Sequence, residues 1–316
     1  MALQGQYIQD GCKMDFTPVA ACLDGDVVLL PGGTAGICIG NIAAEQIGAV
    51  QVSGIVKLEK TTSMVLLVGG DAYWDVSASK VSYKADAGTN DFFIGRVTAD
   101  ATSSDTTCYV ELNKRSRHII DLHGADQEWT NAITGAATLA VYPGNIVRAN
   151  LINTSEAECV TVMSKRTVLP THKPILEARL SRIAASSNAV DIDVGLASGV
   201  STSDFDAVAA FVAVHLDGGD NDIDTQSDDG VTDRALADST INDTDATFFE
   251  VWIDCRDTAN CLVYINGVLV DTSSLKLVLT DALTTPLAAV ISIEKTSGTA
   301  TAELQVSRLR VRHQAE

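Results

Sequence analysis

The segment LVYINGVLVD, Leu262 to Asp271, sets Asn266-Gly267 between two short apolar runs. Asn-Gly supplies the positive φ angles of a type I′ turn, whose twist matches the strands it joins. A tight β-hairpin is therefore predicted here. The same texture extends outward. TFFEVWIDC precedes the hairpin, and LAAVISIEK and AELQVSRLRVRH follow it. Each run is strand-sized and bounded by turn-forming residues. In AVDIDVGL, Val190, Ile192 and Val194 alternate with Asp191 and Asp193. In AELQVSRLRVRH, Leu304, Val306, Leu309 and Val311 are apolar, while Arg308, Arg310 and Arg312 face the other way. A period of two marks strands with one wet face. The aspartates and arginines are accordingly expected on solvated faces, and the break at Ser307–Arg308 predicts a β-bulge.

The fold class read from this pattern is all-β. Residues 1–112 are dense in glycine and alternate short apolar runs with turns, as in GDVVLLPGG, SMVLLVGGDAYWDV, FFIGRV and TCYVEL. They predict a small β-barrel or β-tulip-like domain. IAAEQIGAV, Ile42 to Val50, reads as a strand or as one short helical turn. Residues 113–121 read as a linker. They include the basic cluster KRSRHI, Lys114 to Ile119, taken as solvated, with contact to an acidic neighbour as the alternative. Residues 122–316 read as a β-sandwich.

The bulk properties narrow the function. The chain has 316 residues, 46% of them hydrophobic and 20% charged, enough to bury two cores at about 150 residues per domain. Its formal net charge of −19 argues against a nucleic-acid backbone or an anionic membrane as partner. MALQGQYIQDG lacks the basic and apolar regions of a signal peptide, and no apolar run approaches a membrane span of about 20 residues. The seven cysteines are Cys12, Cys22, Cys38, Cys108, Cys159, Cys255 and Cys261, with no CxxC. They read as small buried hydrophobes of a chain made in a reducing cytoplasm, with a Cys255–Cys261 link as the alternative.

Motifs for catalysis are sparse. LDGGDNDIDTQSDDGVTDR, Leu216 to Arg234, places Asp220, Asp222 and Asp224 like the start of a calcium loop. Thr225 stands where an EF-hand needs Gly, and Val231 where it needs Glu, so that reading fails. The stretch reads as a long solvated loop, with a looser calcium site at those aspartates as the alternative; no other cofactor is expected. His118, His123, His172, His215 and His313 form no HExxH and read as structural. PGGTAG, Pro31 to Gly36, lacks the Gly-Lys-Ser/Thr ending of a phosphate loop, and no GxSxG nucleophile elbow occurs. A structural or binding protein is expected rather than an enzyme, and a polysaccharide hydrolase is the least supported class.

Gly25-Asp26-Val27-Val28, then Ala43-Ala44-Glu45-Gln46-Ile47-Gly48-Ala49-Val50, Tyr73-Trp74-Asp75, Ile94-Gly95 and Val110-Glu111-Leu112 form an ordered series. This series resembles phage capsid decoration, or cement, proteins. FFEVWIDCRDTANCLVYINGVLVD and LQVSRLRVRH resemble concanavalin-like jelly rolls of the laminin-G type. The resemblance implies a non-enzymatic bacteriophage protein on the outer capsid surface of the virion. It also implies the major capsid protein as partner, a homotrimer, and capsid stabilisation. The capsid-contact candidates are the N-terminal residues Ala2, Leu3, Gln4, Gly5, Gln6, Tyr7, Ile8 and Gln9. Tyr73 and Trp74 are expected as core or subunit-interface anchors. The alternative is a glycan- or host-binding module carried by the jelly roll. Trp252, Tyr264, Phe248 and Phe249 read there as core positions.

Overall fold

A computed structural model describes residues 12–86, 89–122, 129–143, 145–183, 190–217, 219, 221–270 and 277–313. The chain divides into two compact units, Met1–Arg117 and His118–Glu316.

In the first unit, β1 (Lys13–Phe16), β2 (Val27–Leu29), β3 (Ala35–Ile39) and β4 (Gly48–Gln51) form an antiparallel sheet in the order β1-β4-β3-β2. A second sheet contains β5 (Ile55–Glu59), β6 (Asp71–Asp75), β7 (Lys80–Ser82), β8 (Phe92–Val97) and β9 (Thr107–Leu112), in the order β5-β9-β8-β6-β7. Leu30, Cys38, Ile42, Val50 and Val52 pack together with Cys22 in a small core. IAAEQIGAV is a turn, with Glu45 at φ 61°, that leads into β4. At Gly95, β8 lies tight against β9, because a Cβ there would lie 2.2 Å from the Glu111 carbonyl oxygen.

Asn113 links the two sheets. Its Oδ1 accepts the Ala35 N–H at 2.9 Å, and its Nδ2 donates to the carbonyls of Ala35 and Val52 at 2.9 and 2.7 Å. Asn113→Ala strands three backbone groups. It is expected to lower the stability of this unit by about 1–3 kcal/mol in a denaturant titration. A loss below the error of the titration would show that water replaces the amide without cost.

The second unit contains β10 (Ile120–Asp121), β11 (Trp129–Thr134), β12 (Thr138–Tyr142), β13 (Ile146–Leu151), β14 (Glu158–Val168) and β15 (Pro174–Ile183). It continues with β16 (Val190–Ala197), β17 (Phe211–Asp217), β18 (Asp222–Asp228), β19 (Asp233–Asn242) and β20 (Phe249–Asp254). The last strands are β21 (Leu262–Ile265), β22 (Val268–Val270), β23 (Leu287–Lys295) and β24 (Ala302–His313). One antiparallel sheet runs β12-β13-β24-β15-β20-β21-β22, with β10 beside β24; the other runs β11-β14-β23-β16-β17-β18-β19. The sheets form a jelly-roll sandwich. Leu176, Leu180, Leu304 and Leu309 of one sheet share a core with Ile192, Val212, Ile291 and Ile293 of the other. Each such side chain stabilises the fold by about 1.5–3 kcal/mol.

The Asn266-Gly267 hairpin forms as predicted. Both residues have positive φ, 52° and 76°, and Ile265 pairs with Val268. The bulge also falls at the predicted step. Arg179 pairs with Arg308 and Leu180 with Val306, which leaves Ser307 as the extra residue.

Three expectations are corrected. First, the outer faces of the alternating strands are largely covered, although Asp191 stays partly exposed. Asp193 is 1% exposed and Arg312 4%. Alternation reports which side faces the inter-sheet core, but not what covers the other side. Segment 198–210 brings Phe205 and Val208 onto the outer face of the β11–β19 sheet. On the other sheet, the arginines are covered through their own ion pairs. Arg308 pairs with Glu250, Arg310 Nε lies 2.9 Å from Asp121 Oδ1, and Arg312 pairs with Glu177.

Second, the acidic stretch 216–234 is not a loop. Asp222–Asp228 is a strand in which Ile223 joins the core and Ser227 Oγ accepts the Val278 N–H at 3.0 Å. Small polar residues on its inner face hide the period of two from a hydrophobicity reading.

Third, residues 113–121 do not form one linker. Asn113 and Ser116 bond within the first unit, Ser116 to Asp71, whereas Ile119 and Ile120 join β24. Among the described residues, no helix is long and apolar enough to cross a membrane.

Candidate functional site

Ionisable groups converge on the outer face of the β11–β19 sheet. The strand register dictates the cluster. Asp191 of β16 stands opposite Glu294 of β23 and Asp217 of β17. Two residues on, Asp193 stands opposite His215 and Ser292. His215 Nδ1 lies 3.0 Å from Asp193 Oδ1, and His215 Nε2 lies 3.7 Å from Asp191 Oδ1. Gln226 Nε2 donates to the same Asp193 oxygen at 2.9 Å.

Segment 198–210 roofs the cluster. The Phe205 N–H donates to Glu294 Oε1 at 3.1 Å, and the Cys159 thiol lies 3.8 Å from Glu294 Oε2. Thr161 donates to the Ser201 carbonyl at 3.1 Å. The rings of Phe205 and Phe211 meet edge to face at 5.1 Å beside Val208 and Val290.

The electrostatics follow from this closure. Burial by itself disfavours the His215 cation, but the bond to Asp193 and the charges of Asp191 and Asp206 outweigh it. His215 is thereby pushed up to about 9. Burial raises Asp191 to about 6, with Asp193 and Asp217 adding to the rise and His215 opposing it. Burial, then the nearby Asp193 charge, raises Glu294 to about 7. Asp206 is raised by partial desolvation and by Asp193 and Asp204. At neutral pH the cluster is an imidazolium held between carboxylates, beside a carboxyl that keeps part of its protons. Glu294 is only 2% exposed and its carboxylate is capped by the roof. The arrangement therefore fastens the roof segment to the sheet. The sequence reading missed this cluster by placing Asp191 and Asp193 in solvent and treating His215 alone. The signal for it is a His, or an acid, inside runs that are otherwise apolar, as in AVAAFVAVHLD and LAAVISIEK.

The other candidates lie apart from the cluster. Ala2 to Gln9 fall outside the described residues, as do Asp220 and His123. Asp222 and Asp224 share one face of β18, and both are half-buried. Among the described residues, no three His, Cys, Asp or Glu side chains are arranged to hold a metal ion.

Tyr73 and Trp74 on β6 are half-buried, on opposite faces of the strand. Tyr73 meets Phe93 edge to face at 5.8 Å, and the Arg115 guanidinium stacks 3.7 Å from the Phe93 ring centre. The basic cluster thus contributes one cation to an aromatic patch. On the β1–β4 sheet, Val27 pairs with Ile37 and Leu29 with Ala35, so these residues and Ile39 share one face. Leu29 and Ile39 on that face are 45% and 42% exposed. Trp252 and Tyr264 are buried, with ring centres 6.0 Å apart. They stand on the sheet face turned away from the inter-sheet core, because their neighbours Val251 and Ile265 occupy that core.

Residues 8–112 match the model of the phage cement protein family. No curated protein matches the chain at a significant level. Among solved structures, one similar chain is an endo-acting O-glycanase expressed by the human gut microbiota to initiate mucin breakdown. It shows 11% identity over 63% of this chain and 100% of that one, at a TM-score of 0.43. Another is the carbohydrate recognition domain of Emp46p in potassium-bound form, with 11% identity over 62% and 95%, at 0.44. A third is an immunostimulatory antigen and pseudo beta-1,3-glucanase of Mycobacterium tuberculosis, with 10% identity over 63% and 99%, at 0.46. These likenesses concern the fold alone.

Proposed function

We propose that this chain is a phage capsid decoration protein that binds the major capsid protein on the outer surface of the virion and stabilises the shell. The observation that carries this reading is the match of residues 8–112 to phage cement proteins. The half-exposed apolar face of Leu29 and Ile39 supports it, because such patches mark contact surfaces. The work is mechanical. A β-sheet body seats where capsid subunits meet, bridges them and resists pressure from the packaged genome. A homotrimer closed by cyclic symmetry suits a three-fold lattice position. The second unit faces outward and performs no reaction. The hairpin-region rings Trp252 and Tyr264 are buried and offer no platform to a glycan.

Residues 2–9 are the proposed contact arm, since an extended segment can add a strand to a neighbour's sheet edge. The test is co-sedimentation of the purified chain, with and without residues 1–9, with expanded capsids that lack the decoration protein. Saturable binding by the full chain, and its loss on deletion, is the expected result. Undiminished occupancy after deletion removes the arm. No binding by either form removes the decoration reading.

A further inference from the structure

Six of the seven cysteines are buried, and four of those six lie as two neighbouring pairs, one in each unit. In the second unit, β20 and β21 pair Asp254 with Leu262, so the next rung sets Cys255 opposite Cys261. Neither spends its N–H on the other. Cys255 N–H donates to the Pro174 carbonyl at 2.9 Å, and Cys261 N–H to the Leu277 carbonyl at 2.8 Å. A rung without mutual hydrogen bonds is the narrow rung of an antiparallel ladder, with Cα atoms about 4.5 Å apart. That spacing lies inside the range of about 4.4–6.8 Å that a disulfide spans. Both side chains are fully buried.

In the first unit, Cys22 and Cys38 share the small core, where the Cys22 thiol donates to the Ala20 carbonyl at 3.6 Å. The backbone of each is fixed, Cys22 by reciprocal bonds with Ile42, and Cys38 by bonds to Asp26 and Gly25.

We propose that Cys255–Cys261 and Cys22–Cys38 are oxidation sites at which each unit closes an internal disulfide once the protein meets a disulfide-exchanging environment. The oxidant is a low-molecular-weight disulfide such as oxidised glutathione. One thiolate attacks it, forms a mixed disulfide and releases one small thiol. The facing cysteine then displaces the second small thiol and forms the internal bond. Overall, the pair loses two protons and two electrons, and the small disulfide is reduced to two thiols. Burial, then the neighbouring Cys22 thiol, pushes Cys38 up to about 12. The neighbouring Cys261 thiol, then burial, pushes Cys255 well above the ordinary thiol range. The folded pairs are therefore unreactive thiols, and exchange runs while the chain folds or locally opens. This proposal does not depend on the capsid reading.

The test is to refold the full chain in a mixture of reduced and oxidised glutathione, quench with acid, alkylate under denaturing conditions and map the peptides. The expected result is alkylation of Cys12, Cys108 and Cys159 alone, with crosslinks 22–38 and 255–261 that a reductant removes. A sample refolded in reductant throughout should carry label at all seven positions. Full alkylation after oxidative refolding, or crosslinks between other partners, overturns the proposal. A crosslink in one unit only overturns the claim for the other.

Discussion

Replacing Glu158 by alanine is expected to lower the stability of the second unit by about 3–5 kcal/mol, the usual cost of leaving a buried charge without its partner. Glu158 and Lys295 have fully buried side chains, and Lys295 Nζ lies 3.4 Å from Glu158 Oε2. Lys295 also donates to the carbonyls of Ile152, Thr154 and Ala300, at 2.6, 2.9 and 3.1 Å. Glu158 accepts the Ile152 N–H at 2.7 Å and the Thr154 hydroxyl. The pair thus gathers the turn after β13 and the turn before β24 at one end of the sandwich. Alanine at 158 leaves an ammonium in apolar surroundings with only carbonyl dipoles around it. The double variant Glu158→Ala/Lys295→Met is expected to lose less than Glu158→Ala alone, because it removes the stranded charge as well. Urea titrations of the three proteins check this. A loss below about 1 kcal/mol in Glu158→Ala would mean that water reaches the site and solvates Lys295.

The second large effect is a stability that falls as pH rises from the acid side. Glu294 holds its proton to about 7 against an ordinary 4.5, and Asp191 to about 6 against 3.8. In that window the folded state binds more protons than the unfolded chain, so stability declines with increasing pH. His215, raised from 6.5 to about 9, contributes stability that is complete below its unfolded value and is lost as pH climbs through 9. All three groups act in the same direction, which is the reverse of a salt-bridged carboxylate. The second unit should lose several kcal/mol of stability between about pH 5 and pH 9, with the partly exposed Asp191 contributing least. Glu294→Gln keeps an oxygen for the Phe205 N–H and carries no charge. It is expected to flatten the profile and to be more stable than the parent at the alkaline end. A profile that rises from pH 5 to pH 9, or a Glu294→Gln protein weaker than the parent at pH 9, would contradict the electrostatics described for this cluster.

The fold was largely legible because its main signals are local. Asn266-Gly267 encodes its own turn geometry, and the interrupted alternation at Ser307 encodes its bulge. The solvation of the outer faces was not legible. Whether Asp193 and Arg312 meet water depends on segment 198–210 and on strand partners distant in sequence, and nothing within VDIDV or RLRVRH records them. The Asp222–Asp228 strand was lost for a related reason. Its inward residues are Ile223, Thr225 and Ser227, of which only one is apolar. The His215 cluster combines three strands and a crossover, so single residues could not reveal it. Tyr73 and Trp74 are half-buried, and they stand opposite Phe93 and Phe92, partners that lie about twenty residues away in sequence.

The central claim is that this chain acts by occupying the outside of a viral shell. An electron cryomicroscopy map of intact virions that contain the protein tests this most directly. The account predicts density for two β-sheet bodies on the shell exterior, repeated at symmetry-related positions where capsid subunits meet, with residues 8–112 nearest the shell. A map at side-chain detail with the exterior bare, from particles that contain the protein, would contradict it.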